Sequence, residues 1–162
     1  MNLLLIAQLL ALLAVANGTP VIAAKILGKT LATPVDGNAE FLDGRPLFGP
    51  SKTIRGVTLS ILVTSAFAPL IGLDWKVGAL VGLAAMAGDL LSSFLKRRLD
   101  LSASSQFIGV DQIPESLLPL LACHVLLPLS IFDIAVATAI FVVGALALSQ
   151  LLFKLNIRDQ PY

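Results

Sequence analysis

Apolar residues in this chain come in long runs, and the polar residues collect between them. Five such runs stand out, at roughly 2–24, 54–73, 76–96, 114–131 and 133–154. A helix needs about 20 mostly apolar residues to cross a bilayer. The pattern therefore predicts an all-α polytopic membrane protein with about five transmembrane helices. Pro128 and Asp133 divide residues 117–154 only weakly, so other placements of the turn near 131–133 remain open. The first run has a feature of a cleaved leader, because Ala14-Val15-Ala16 has the form of a cleavage site. It lacks a basic leading region, however, and apolar residues resume after Pro20. A retained first helix is expected, kinked near residues 17–20, since membrane spans tolerate proline.

Composition agrees with the pattern. Of 162 residues, 57% are hydrophobic and 13% are charged, and the mean hydropathy is +0.92. Soluble domains are closer to half apolar and a quarter charged. A net charge of +1 gives no electrostatic footprint for nucleic acid. Cys123 is the only cysteine, so an internal disulfide is excluded, and no Cys/His spacing suggests zinc.

Charge placement sets an expected orientation. Lys25, Lys29, Arg45, Lys52 and Arg55 lie in or beside the first loop. Lys96, Arg97 and Arg98 open the third loop, and Lys154 and Arg158 follow the last run. Of the eleven basic residues only Lys76 falls on the other side. Basic residues favour the cytosolic side. The N-terminus is thus expected outside and the C-terminus inside, with loops 25–53 and 97–113 cytosolic, in a multi-pass protein of the cell membrane. No repeat or linker is visible, so residues 1–162 read as one domain. Five short spans leave little room for a pore in one subunit, and a homodimer is one arrangement open to the chain.

Three polar stretches carry candidate chemistry. The first is GRPLFGPSKTIRG, residues 44–56. Gly44 and Gly49 allow unusual backbone angles. Ser51 and Thr53 bring hydroxyls, and Lys52 and Arg55 bring charge, at the start of the second helix. Unsatisfied N–H groups there make a ready anion site. The spacing is not that of a Walker A loop, because Pro50 and Ser51 separate Gly49 from Lys52. A basic loop touching anionic lipid heads is the plainer alternative.

The second stretch is GDLLSSFLKRR, residues 88–98. Asp89 lies about 10 Å inside the end of its span by helical rise. Carboxylates at that depth are costly and usually functional. Asp89, Ser92, Ser93 and Lys96 share one helix face. Gly78, Gly82 and Ala85 continue that face and allow close helix approach. The competing reading is a structural pair of Asp89 with Lys96 or Arg97.

The third stretch is GVDQIPES, residues 109–116. Asp111 and Glu115 flank the start of the fourth helix, where an acid can serve simply as a cap or first-turn charge. Yet Asp89 and Asp111 open to the same side as the cations and hydroxyls. Two carboxylates beside such a cluster suit Mg²⁺ bound together with phosphate oxygens. His124 reads as a packing group, and Asn17 and Thr19 as partners for the backbone around Pro20. Asn38, Asp36 and Asp43 lie in the first loop, within reach of a nucleotide or merely solvated.

These pieces resemble the CDP-archaeol synthase family, relatives of the phosphatidate cytidylyltransferases. The resemblance rests on DGRPLFGPSKTIRG, GDLLSSFLKRR, GVDQIPES and the terminal NIRDQPY, in that order. It implies Mg²⁺-dependent transfer of CMP from CTP to a lipid phosphate, with release of pyrophosphate. It also implies that Ser51, Lys52, Thr53, Arg55, Ser92 and Arg97 contact CTP or its phosphates, with Asn38 added as a CTP-binding candidate from its place in the first loop. Asp89 and Asp111 would bind metal, with Asp89, Asp111 and Lys96 at the reacting centre. The phosphatidate enzymes have a longer Gly- and His-rich loop before an Asp-Arg pair. Here SASSQFIGVDQ replaces it, with Gln112 at the place of that arginine. This favours an archaeol-type ether-lipid substrate over phosphatidic acid, the alternative. A small transporter or ion-conducting oligomer using Asp89 is the rival class, as is a lipid-binding scaffold. The outer halves of the second, third and fifth runs carry few of the polar groups that a transporter needs.

Overall fold

The computed structural model describes residues 1–101 and 109–154, with side chains described to residue 150. Most of SASSQFIGVDQ, together with NIRDQPY and Arg158, lies outside the described residues. The chain forms α1 (Leu3–Leu27), α2 (Ile54–Phe67), α3 (Trp75–Arg98), α4 (Gln112–Cys123) and α5 (Ile131–Lys154), with a 3₁₀ turn at Ala68–Ile71 after α2. No strand forms among the described residues; two isolated bridges, Pro34 with Thr53 and Glu40 with Pro46, pin the long first loop.

Among the described residues, four segments are long and apolar enough to cross a membrane: Leu3–Leu27, Ile54–Ile71, Trp75–Arg98 and Ile131–Gln150. The all-helical polytopic expectation holds. The run at 114–131 differs from its expected form. Its helix, α4, has only 12 residues, about 18 Å at helical rise. Turns and an irregular stretch fill residues 124–130. Pro128 forbids a continuous ladder there and disfavours a helical residue before it. The His124 ring closes the segment, with Nδ1 2.6 Å from the Leu129 carbonyl oxygen.

α1 runs unbroken through Pro20 because its freed carbonyls find partners. Pro20 has no N–H for the Ala16 carbonyl, which instead accepts the Ser60 hydroxyl of α2 at 2.7 Å. Asn17 donates to the Leu13 carbonyl at 3.0 Å and Thr19 to that of Val15 at 2.7 Å, as expected for polar residues beside a helical proline.

The main core lies in the half of the bundle away from the long loop. Leu5, Leu9, Leu12 and Leu13 of α1 pack there with Val77, Val81, Leu120 and Ile134. Among the described residues, a small cluster of Ala16, Ala85 and Met86 fills the other half. Glycines set the closest crossings. A Cβ on Gly82 would lie 2.9 Å from Ile61 Cα of α2, and one on Gly88 would lie 2.3 Å from the Pro114 carbonyl oxygen of α4. Leu62, Val63, Leu83 and Val143 point outward, as bilayer-facing side chains should.

Candidate functional site

Four chain segments meet at the end of the bundle where α1 and α3 stop and α2 and α4 begin. Each must satisfy backbone groups that have no helical partner. Arg55 reaches back across this end, donating through one Nη to the Thr30 carbonyl and through the other to Gly28 at 3.2 Å. It thereby closes the C-terminus of α1, where a cation also suits the helix dipole.

The loop between α1 and α2 is held from two sides. The Asp36 carboxylate accepts the N–H groups of Phe48 at 2.9 Å, Gly49 at 3.0 Å and Asn38 at 3.0 Å. Burial works to raise the Asp36 pKa, but these backbone donors outweigh it and hold the carboxyl below its ordinary value. Arg98 of α3 donates to Asp43 at 2.7 Å and to the Pro46 carbonyl at 2.7 Å. Its guanidinium also lies 4.7 Å from the Phe41 ring centre and 4.9 Å from that of Phe94. Arg45 returns the contact, donating to the Arg98 carbonyl at 2.9 Å. Gly44 and Gly49 make the turns with φ of 72° and 97°.

This bracing delivers Lys52 to α3. Its Nζ lies 2.6 Å from Asp89 Oδ1, with the two side chains 23% and 21% exposed. A second pair joins Lys96 of α3 to Asp111, with Nζ 2.8 Å from Oδ1 and exposures of 10% and 15%. Asp89 thus pairs with a lysine 37 residues away, not with its helix neighbours Lys96 or Arg97.

Both pairs open onto one cavity of about 620 Å³, within the usual range for small-ligand sites. Ser51, Lys52, Thr53 and Arg55 line it from the loop and α2, Asp89 and Lys96 from α3, and Asp111 before α4. Pro20, Val21 and Ala24 of α1 and Ala145 of α5 give it an apolar flank. Asn38, Ser92 and Arg97 are not among the lining residues. Asn38 sits in the Asp36 turn with φ of 64°. Ser92 is buried, and its hydroxyl donates back to Gly88 at 2.9 Å. Arg97 donates to the Leu101 carbonyl. Thr53 is the N-cap of α2, its Oγ1 accepting Gly56 N–H at 3.1 Å. The Ile54 N–H goes to the Thr33 carbonyl at 2.9 Å. The start of α2 is therefore less open to an anion than its sequence suggested.

Glu115 is the site residue that sequence reasoning missed. It lines the cavity together with Asp89 and Asp111, close enough for the Asp89 charge to act on its carboxyl. Like charges so placed repel, and a cation between them would relieve the repulsion. The signal was present in the spacing, since Asp111, at the cap of α4, and Glu115, in its first turn, stand four residues apart. Gln112 is buried, and its Oε1 accepts Gly109 N–H at 2.8 Å.

Membrane-length helices enclosing a charged cavity at one end define a polytopic α-helical membrane protein with a polar intramembrane site. Residues 65–162 match the family model described as CarS-like, CDP-archaeol synthase. The CDP-archaeol synthase of Pyrobaculum calidifontis is 31% identical over 153 residues, covering 91% of each chain. That of Sulfurisphaera tokodaii is 32% identical over 136 residues, covering 80% of this chain and 82% of its own. That of Hyperthermus butylicus is 38% identical over 104 residues, which span 60% of this chain and 59% of the relative. A solved structure described as an intramembrane enzyme for archaeal membrane lipids biosynthesis superposes with a TM-score of 0.78 at 30% identity, covering 90% of this chain and 93% of that one. The chain belongs to the CDP-archaeol synthase family.

Proposed function

We propose that the protein transfers CMP from CTP to an archaeol-type ether-lipid phosphate, releasing pyrophosphate and leaving a CDP-lipid, with Mg²⁺ as cofactor and the site open to the cytosol. The observation that carries this reading is that one cavity is lined by Lys52, Asp89, Lys96, Asp111 and Glu115, with an apolar flank beside it. Lysines suit a polyphosphate, carboxylates suit a cation, and the apolar wall suits a lipid tail. The basic residues gathered at this end favour a cytosolic orientation, where CTP is found.

The side chains fit Mg²⁺ by their chemistry. Among the described residues no three His, Cys, Asp or Glu side chains form a ready metal cage. Mg²⁺ seldom needs one, since it is usually held by one or two carboxylates together with substrate phosphates and water. Asp89 and Asp111 supply such carboxylates, both open to the cavity. When bound, the ion would neutralise charge on the phosphorus under attack.

The protein's own groups do the rest. A lipid phosphate is already an anionic nucleophile, so the site has no strong base to supply. One of its oxygens bonds to the α-phosphorus of CTP, and the bond from that phosphorus to the pyrophosphate oxygen breaks. Lys52 and Lys96 place and screen two polyanions that otherwise repel, and Ser51 offers a hydroxyl at the same wall. The braced loop fixes Lys52, so little reordering is needed on binding.

Purified protein in detergent, given CTP and Mg²⁺, should release pyrophosphate with an ether-lipid phosphate and less readily with phosphatidic acid. No release with either lipid from folded protein would refute the reading. A preference for phosphatidic acid would overturn the ether-lipid assignment alone.

A further inference from the structure

We propose that the turn closing α1, residues 28–31, is an interfacial anchor for anionic lipid. Leu31 inserts among the acyl chains, while Lys25 and Lys29 hold phosphate headgroups beside the mouth of the cavity. This surface does not depend on the cytidylyltransferase reading.

The end of α1 presents apolar and basic side chains together. Ile26 and Leu31 are 75% and 77% exposed, and Lys25 and Lys29 are exposed beside them. α1 has 25 residues, about 37 Å at helical rise. That exceeds the hydrocarbon core, about 30 Å, and falls short of the whole bilayer, about 40–45 Å. A span of this length ends among the headgroups. The turn then keeps the chain at that level instead of carrying it into water. Thr30 N–H donates to the Leu27 carbonyl at 3.0 Å, and Ala32 N–H donates to the Lys29 carbonyl at 3.3 Å.

Leu31 has a φ of 54°, a left-handed conformation unfavourable for a leucine. Such strain persists only where the surroundings fix it. Arg55 fixes this turn by donating to the Gly28 and Thr30 carbonyls. In water the strained turn would merely expose an apolar side chain. At the interface it gives that side chain an acyl layer to enter. Lysines at the same level complement anionic headgroups, each strengthening the attraction roughly fivefold, and their stems can lie along apolar chains. Gly28 and Ala32 line the cavity, so a lipid held at this turn borders the site.

The test places a single indole at the turn, on the full chain in lipid nanodiscs. Trp75 is the one native tryptophan, so Leu31→Trp is made together with Trp75→Phe. Lipids brominated on the upper acyl chain should quench the new indole, and aqueous acrylamide should quench it several-fold less than it quenches free tryptophan. An indole open to acrylamide and untouched by the brominated lipid overturns the anchor and leaves Leu31 facing water or a soluble partner. A minor fraction of brominated phosphatidylglycerol should quench several-fold more efficiently than the same fraction of brominated phosphatidylcholine. Adding Lys25→Gln and Lys29→Gln should abolish that difference. Equal quenching by the two lipids with both lysines present overturns the anionic preference, and a preference that survives their removal overturns the role of the lysines. Should Leu31→Trp fail to fold, Leu31→Cys carrying a nitroxide serves instead, since Cys123 is buried. Its spectrum should respond more to oxygen than to a water-soluble nickel chelate, and the reverse order overturns the anchor.

Discussion

In the far half of α3, Gly78 and Gly82 lie against the backbone of α2; in the near half, Gly88 lies against the Pro114 carbonyl of α4. The local device is the same, a missing Cβ that lets two backbones touch. The consequences differ. Gly78 and Gly82 meet the α2 backbone at Ser60, Ile61, Thr64 and Ser65, with no charged residue among them, and close approach there seats α3 against the main core of Leu9, Leu13 and Val81. Beside Gly88 the next residue is Asp89, and beside Pro114 the next is Glu115. Close approach there brings two carboxyls together in a region with little apolar core of its own. One crossing stabilises; the other positions charge and leans on the first for its stability.

The largest effect that sharpens this contrast comes from the charge itself. Asp89→Asn keeps the side-chain volume and removes the charge that pairs with Lys52. Turnover should fall on the order of 100- to 1,000-fold, the scale seen when one electrostatic contact at a reacting centre is lost. The thermal midpoint in detergent should move only slightly, because Asp89 is partly exposed and lies outside the main core. Turnover close to wild type would remove Asp89 from the reacting centre.

A matched pair of glycine substitutions could break the contrast. A Cβ on Gly88 would lie 2.3 Å from Pro114 O, and one on Gly78 would lie 2.4 Å from Thr64 O. Both neighbours are backbone and cannot swing aside. Overpacking of this kind costs about 1–3 kcal/mol, offset in part by the better helix propensity of alanine, about 1 kcal/mol. Gly88→Ala and Gly78→Ala should therefore lower the thermal midpoint by similar amounts. Only Gly88→Ala should also lower kcat, because it pushes Glu115 away from Asp89. Equal losses of turnover in the two variants would show that both crossings serve stability alone.

Much of this division was legible in the sequence. The apolar runs placed α1, α2, α3 and α5, and the small-residue face of Gly78, Gly82 and Ala85 announced a close helix crossing. Helical periodicity also put Asp89, Ser92, Ser93 and Lys96 on one face, and the last three are buried. Periodicity gives no account of what lies across a face. The pairing of Asp89 with Lys52 depends on a loop braced by Asp36 and Arg98, and no local spacing encodes it. Arg55 read as a cation for phosphate, yet its Nη groups go to Gly28 and Thr30, because the end of α1 leaves carbonyls in need of donors. Glu115 read as a helix-start charge because the Gly88–Pro114 contact that turns it to Asp89 is a tertiary fact. The fourth apolar run looked long enough to span, but hydropathy is blind to a proline that ends a ladder.

The smallest predicted effect lies in the brace and reports how far the near half depends on a single loop. Backbone donors hold the Asp36 carboxyl below its usual pKa of 3.8. A depressed folded-state pKa adds stability above the unfolded value and loses it as pH falls through the folded one. Docking of the loop should thus be constant at neutral pH and weaken below about pH 4, as the carboxylate gives up its hold on Phe48 and Gly49. Amide hydrogen exchange at those two residues should quicken in that window, after correction for the intrinsic pH dependence, while exchange in α3 near Val81 stays unchanged. Asp36→Asn keeps an acceptor oxygen but no titrating charge, so its exchange at Phe48 and Gly49 should be faster throughout and lack the acid step. An acid step that survived in Asp36→Asn would assign it to another group, and the loop would then owe its docking chiefly to the Arg45 and Arg98 contacts with the end of α3.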